Sequence, residues 1–227
     1  MKQLTTLFLG VAALVVSLIA TGVRAQGTFE GVVTYSVTVP MLGDDKLPMI
    51  TSIKGGNAAT VIDMGAMGKQ QIYINNQTHT MSIITGKNGF TMPMPAKTND
   101  SADINAIVPT GKKDVINGHA AEEYTATISE GDHQGTMDIW ASNDFPADIR
   151  SELTHALSDN PQNGGNKVFN ALFAKGLAPV RISIATDGTT QATIDFVKFE
   201  KKAVDDATMN PPADIKLQPM DPSKMRH

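Results

Sequence analysis

From Phe29 the chain alternates. Phe29, Gly31, Val33, Tyr35, Val37 and Val39 fall on one side, and Glu30, Val32, Thr34, Ser36 and Thr38 on the other. A period of two predicts a long strand with one buried face. After a loop at Met41–Asp45, Met49–Lys54 and Ala58–Met64 read as a hairpin about Gly55-Gly56-Asn57. Gln70–Asn75 and Thr78–Thr85 follow, joined at Asn75-Asn76-Gln77. Connections this short predict an antiparallel meander and exclude a β-α-β architecture in this part of the chain. Gly86–Gly89 reads as a turn, Phe90–Met94 as a short strand stopped by Pro93 and Pro95, and Lys97–Pro109 as a polar loop.

Residues 110–146 give strand, turn, strand and stop in succession. Val115-Ile116 is expected to turn through Asn117-Gly118 into Ala120-Ala121. Tyr124, Ala126 and Ile128 share a face, Glu130-Gly131-Asp132 turns, and Met137 and Ile139 share a face of the returning strand until Pro146 ends it. Helical spacing then appears in Ile149, Leu153 and Leu157, and again in Val168, Leu172 and Phe173 before Gly176, with Pro161–Gly165 between them. The chain returns to strand at Pro179–Ala185, turns at Asp187-Gly188 and runs from Thr190 to Val204, where Ile194, Phe196, Val197 and Phe199 occupy both faces. Residues 205–227, with Pro211, Pro212, Pro219 and Pro222, read as an extended C-terminal tail.

The pattern predicts one α+β domain over residues 26–204, in which a curved antiparallel sheet of about nine to eleven strands wraps the helices of residues 146–175. A closed lipocalin-like barrel is the alternative; the helices inserted before the last two strands argue against simple up-and-down closure.

The first 25 residues change the compartment. Lys2, the apolar run Leu7–Ala20 and Val23-Arg24-Ala25 read as a Sec-type signal peptide cleaved after Ala25, which predicts a periplasmic or secreted protein. No stable membrane insertion is expected after cleavage. The chain has no cysteine, so neither a lipid-modified cysteine nor a disulfide is available. The formal charge is −4, and it becomes −6 once Lys2 and Arg24 leave with the leader. With no basic block, neither nucleic acid nor anionic headgroups are expected partners. A monomer is expected.

Candidate chemistry is sparse. His79, His119, His133, His155 and His227 are scattered, and no two share metal-pair spacing, so no metal, no cofactor and no catalytic residue is assigned. There is no serine motif and no cysteine nucleophile. Glu122 and Glu123 point to opposite faces of a regular strand and so form no carboxylate dyad. An enzyme is not expected. The 12 methionines are the unusual count against 5% aromatic residues. Met49, Met64, Met67, Met81, Met92, Met94 and Met137 could fill gaps in a core, line a deformable apolar surface, or, through Met64-x-x-Met67 and Met92-x-Met94, capture Cu(I). Trp140 points away from Met137 and Ile139 and reads as a core anchor.

The order I-N-G-H at 116–119, E-E-Y at 122–124 and D-I-W-A-S-N-D-F-P at 138–146 resembles the domain-of-unknown-function 4412 family of secreted bacterial proteins, itself similar to the LolA and LolB lipoprotein carriers. The resemblance runs from FEGVVTYSVTV to PPADIKLQPM and implies an incomplete antiparallel β-barrel, a LolA-like half-barrel, around a short helical plug. It implies an apolar concavity that takes up acyl chains in the carriers, and no chemistry. Alternation places Val33, Tyr35, Val37, Ile72, Ile74, Met81, Ile83, Tyr124, Ile128, Met137 and Ile139 on the concave side as candidate ligand-binding residues. The expected function is a carrier or sensor of an apolar ligand such as a lipid or lipoprotein acyl chain. A structural or protein-interaction module of the cell envelope with a self-filled core is the alternative, and Met-based Cu(I) binding a third.

Overall fold

The computed structural model describes residues 30–65, 68–94, 106–130, 133–147, 149–150 and 165–220, with backbone alone at 128–130, 133–134 and 165–166. The strands are β1 (Gly31–Thr38), β2 (Leu47–Lys54), β3 (Asn57–Asp63), β4 (Lys69–Asn75), β5 (Thr80–Thr85), β6 (Asn88–Pro93), β7 (Val108–Ile116), β8 (His119–Glu130), β9 (His133–Ser142), β10 (Ala178–Thr186), β11 (Thr189–Lys201) and β12 (Leu217–Pro219). The α-helix α1 (Gly165–Ala174) lies between β9 and β10. All the strands join one curved 12-stranded sheet, ordered β12-β6-β5-β4-β3-β2-β1-β11-β10-β9-β8-β7. Two meanders, β1 to β6 and β7 to β11, meet where β1 pairs with β11. The sheet is open, with β12 and β7 at its edges.

Turn chemistry sets the register. Asn117-Gly118 and Asp187-Gly188 hold φ of 51° and 84° and of 50° and 75°, the left-handed pairs that a tight hairpin turn needs. They pair Ile116 with His119 and Thr186 with Thr189. In β11 the register against β1 shifts between Thr34 and Tyr35, so that Val197 has no partner. The bulge divides the apolar side chains of β11 between the faces: Ile194, Phe196 and Phe199 all pair with core-facing positions of β1, and Val197 is thrown outward at 47% exposure.

Helix α1 buries Val168, Phe169, Ala171 and Leu172 in the same cluster as the inward side chains of β1, β2, β8, β9, β10 and β11. It ends in a glycine cap, with Gly176 N–H bonded to Phe173 O and Leu177 N–H to Leu172 O. Arg150 Nη1 donates to Asn143 O and Gly176 O, tying the loop after β9 to that cap.

Four expectations are corrected. The strand count exceeds eleven because the tail forms β12, and β12 runs parallel to β6, so the sheet is not wholly antiparallel. Strand β7 begins at Val108, inside the expected polar loop; it is exposed as far as Val115, and a strand with no buried face leaves no alternation to read. The last long strand stops at Lys201, and Val204 lies buried beyond it with its N–H bonded to Glu30. Residues 206–209 form a 3-10 turn capped by Asp205 instead of plain extended chain. Phe29, Met67, Leu153, Leu157 and the leader lie outside the described residues.

Candidate functional site

Strand register decides which side chains share a face, because paired residues point the same way. One row runs Ile83, Ile72, Thr60, Thr51, Val33 and Phe199 across β5, β4, β3, β2, β1 and β11. A second runs Met81, Ile74, Ala58 and Ile53. On the other meander Ile194, Ile182, Ile139 and Tyr124 form one row, and Ala192, Ile184, Met137 and Ala126 another. The sequence-derived residues Val33, Tyr35, Val37, Ile72, Ile74, Met81, Ile83, Tyr124, Met137 and Ile139 therefore lie on one face, the face α1 packs against. The side chain of Ile128 lies outside the described residues, although its backbone pairs with Gly135 in the same register.

That face is largely covered. Val33, Tyr35, Val37, Ile72, Ile74, Tyr124, Met137 and Ile139 are buried, while Met81 and Ile83 are half-buried at its flank. Polar groups on it find partners in part: Thr51 and Thr60 bond to each other at 3.0 Å, whereas Gln70 Oε1, beside Ile62 and Thr85, is buried with no hydrogen-bond partner. A cavity of about 10 Å³ lies against Tyr35, Val180, Ile182, Ile194 and Phe196, room for about one water. Burial pushes the Tyr35 hydroxyl well above its ordinary range, so it stays neutral.

Beside Phe196 the structure gathers the segments that carry the family resemblance. His119 Nδ1 lies 2.7 Å from Asp144 Oδ1, and its ring stacks on Phe145 at 4.3 Å and meets Phe196 edge-on at 5.6 Å. Asn117 Nδ2 donates to Phe196 O at 2.6 Å, and Tyr35 meets Phe196 edge-on at 6.1 Å. Burial raises the Asp144 carboxyl, but hydrogen bonds from His119 and Ser142, the His119 charge and the Ala120 N–H outweigh it and leave the group below its ordinary value. Sequence reasoning left His119 among the scattered histidines; the signal it missed was Asp144-Phe145 following a strand that pairs back onto β8.

On the opposite face Glu123, Trp140, Arg181 and Asp195 stand in one row. Arg181 Nε pairs with buried Asp195 at 2.6 Å, and Glu123 accepts from Thr110 Oγ1 at 2.7 Å and Lys112 Nζ at 2.8 Å. Trp140 thus faces away from Met137 and Ile139, half-buried against the core's margin. Glu122 instead takes the Tyr124 hydroxyl at 3.0 Å. Among the described residues no three His, Asp or Glu side chains come together as a metal site.

The arrangement is that of a β-sheet domain with one apolar, helix-covered face. Residues 29–215 match the family described as Domain of unknown function (DUF4412), and the chain belongs to it. Among the curated proteins none matches. Solved structures similar to it include the MucA/MucB complex of Pseudomonas aeruginosa, at 8% identity, 91% coverage of this chain and a TM-score of 0.43. Others are the lipoprotein LppX of Mycobacterium tuberculosis, at 12%, 86% of this chain, 97% of that chain and 0.39, and the LolA superfamily protein NE2245 of Nitrosomonas europaea, at 10%, 88%, 97% and 0.34. The chain spans 62% of the length of the first of these. At TM-scores of 0.34 to 0.43 these likenesses support no inference about what this chain binds. Among the described residues no helix is long and apolar enough to cross a membrane.

Proposed function

We propose that the mature chain, cleaved after Ala25, is a non-catalytic carrier or sensor in the periplasm or outside the cell that takes an apolar ligand, such as a lipid or lipoprotein acyl chain, between the sheet and its helical cover. In this reading the open sheet is a half-barrel and the helices of residues 146–175 its plug. The observation that carries it is the largely apolar face, with Met49, Met81, Met92 and Met137 on it by register. Unbranched thioether side chains re-pack at low cost around an irregular hydrocarbon. The described side chains of this face are closely buried, so a ligand entering among them has to displace some of them. The close burial of the same residues supports the second reading, an envelope interaction module whose core fills itself.

Protein purified without detergent decides between them. Lipid found at one equivalent by mass spectrometry of an organic extract, with saturable uptake of a fluorescent acyl probe, supports carriage; neither lipid nor uptake leaves the interaction module. Cu(I) ranks last, since it rests on two short methionine motifs alone. Titration against a competing chelator is expected to show no sub-micromolar site.

A further inference from the structure

The face turned away from α1 carries its own apolar patch: Ala59, Tyr73 and Ile84, on β3, β4 and β5, cluster with Met209, Ile215 and Leu217 of the C-terminal segment. Leu217, Gln218 and Pro219 pair in parallel with Gly89, Phe90 and Thr91 of β6. Gly89 makes the approach feasible, since a Cβ there would lie 2.7 Å from Leu217 Cδ2 and 2.8 Å from Ile215 Cγ2. Ile215 and Leu217 are half-buried while Lys216 and Gln218 are exposed, so the edge of β6 reads apolar side chains at alternate positions.

The two ends of this segment are held unequally. Its start is pinned: Lys54 Nζ reaches Val204 O and Asp206 Oδ1, each at 2.7 Å, and Glu30 accepts the Val204 N–H at 2.7 Å. Its far end has a 3-residue parallel strand and the Met220 N–H on Thr91 O. Pro211, Pro212 and Pro219 offer no N–H, and parallel pairing is the weaker kind. Release from Ala213 onward would open the outer edge of β6, whose other neighbour is β5.

We propose that the edge of β6, notched at Gly89, is a strand-docking site for an extended polypeptide segment that runs parallel to β6 with apolar side chains at alternate positions, and that residues 213–220 occupy it as a displaceable internal strand. Backbone pairing supplies affinity at such an edge, and the apolar surface of Ile84 and Tyr73 supplies selectivity. Tethering gives the internal strand an effective concentration in the millimolar range, so only a better-matched partner displaces it.

The test uses the full chain carrying Ile215→Asp and Leu217→Asp, which disables its own strand, and a fluorescein-labelled peptide of residues 213–220. Saturable anisotropy, at least about tenfold tighter than for the unaltered chain, is expected, lost when Gly89→Val is added or when the peptide carries the same two aspartates. Hydrogen exchange on the unaltered chain is the second measurement: the amides of Ile215, Leu217 and Met220 should exchange well before those of β1 and β11. A folded, strand-disabled chain that ignores the peptide, binding indifferent to Gly89→Val, or tail amides as protected as β1 would overturn the proposal.

Discussion

His119 Nδ1 and Asp144 Oδ1 stand 2.7 Å apart although 25 residues separate them, so the start of β8 and the loop after β9 are tied through one hydrogen bond. The folded carboxyl of Asp144 sits below its ordinary value of 3.8. Its pairing therefore contributes stability above that pH, and the contribution is lost as pH falls through the folded value. Asp144→Asn should cost about 1 kcal/mol at neutral pH, modest because water screens a part-exposed pair. It should also flatten the acid limb of the melting curve, and an unchanged acid limb in the variant would show that the pair does not matter.

The fold was legible wherever one face of a strand is buried. Val33, Tyr35 and Val37 alternate with Thr34, Ser36 and Thr38, and the register places them as that alternation requires. Legibility ended where burial and period part company. Val108–Val115 is exposed on both faces and has no period. The bulge at Val197 breaks the period without a glycine to announce it. The docking of Ile215 and Leu217 depends on Gly89, more than 120 residues earlier, a relation no local pattern holds. His119 escaped for a like reason, since Asp144 and Phe145 return beside it only at the far end of the β8–β9 pair, 25 residues on.

Arg181 and Asp195 pair across β10 and β11, with the aspartate side chain 7% exposed. Arg181→Met leaves a buried carboxylate alone and should cost about 3 kcal/mol in urea denaturation. Joining it to Asp195→Leu removes the stranded charge, and the double variant should recover much of the loss. A double variant as unstable as the sum of the two single ones would mean the residues do not act as a pair.

Glu123 anchors the edge strand β7 to β8 through Thr110 and Lys112. Burial raises its carboxyl, and the bonds from Lys112 and Thr110 with the lysine charge more than reverse this, leaving it lowered from 4.5. That stability is present above the ordinary value and lost as pH falls through the folded one. Glu123→Ala should cost about 1–2 kcal/mol and speed hydrogen exchange in β7 while leaving β1 and β11 unchanged, because edge strands open locally.

Volume decides whether the apolar face is a core or a binding surface. Ile139 is 0% exposed and stands between Tyr124 and Ile182 on the row beneath the helix. Ile139→Phe adds atoms where no room exists and should cost roughly 1–3 kcal/mol through overpacking if the face is permanently filled. If ligand entry requires these side chains to yield, the larger ring instead reduces acyl-probe uptake and leaves the melting temperature nearly constant. Met81, half-buried on the flank, is the internal control for stability: Met81→Trp can swing toward solvent and should leave the melting temperature nearly constant in either case. A clear stability loss at Ile139 together with unaltered probe uptake would place ligand binding elsewhere on the chain; loss of uptake in a protein that melts as before would put the acyl chain against β9.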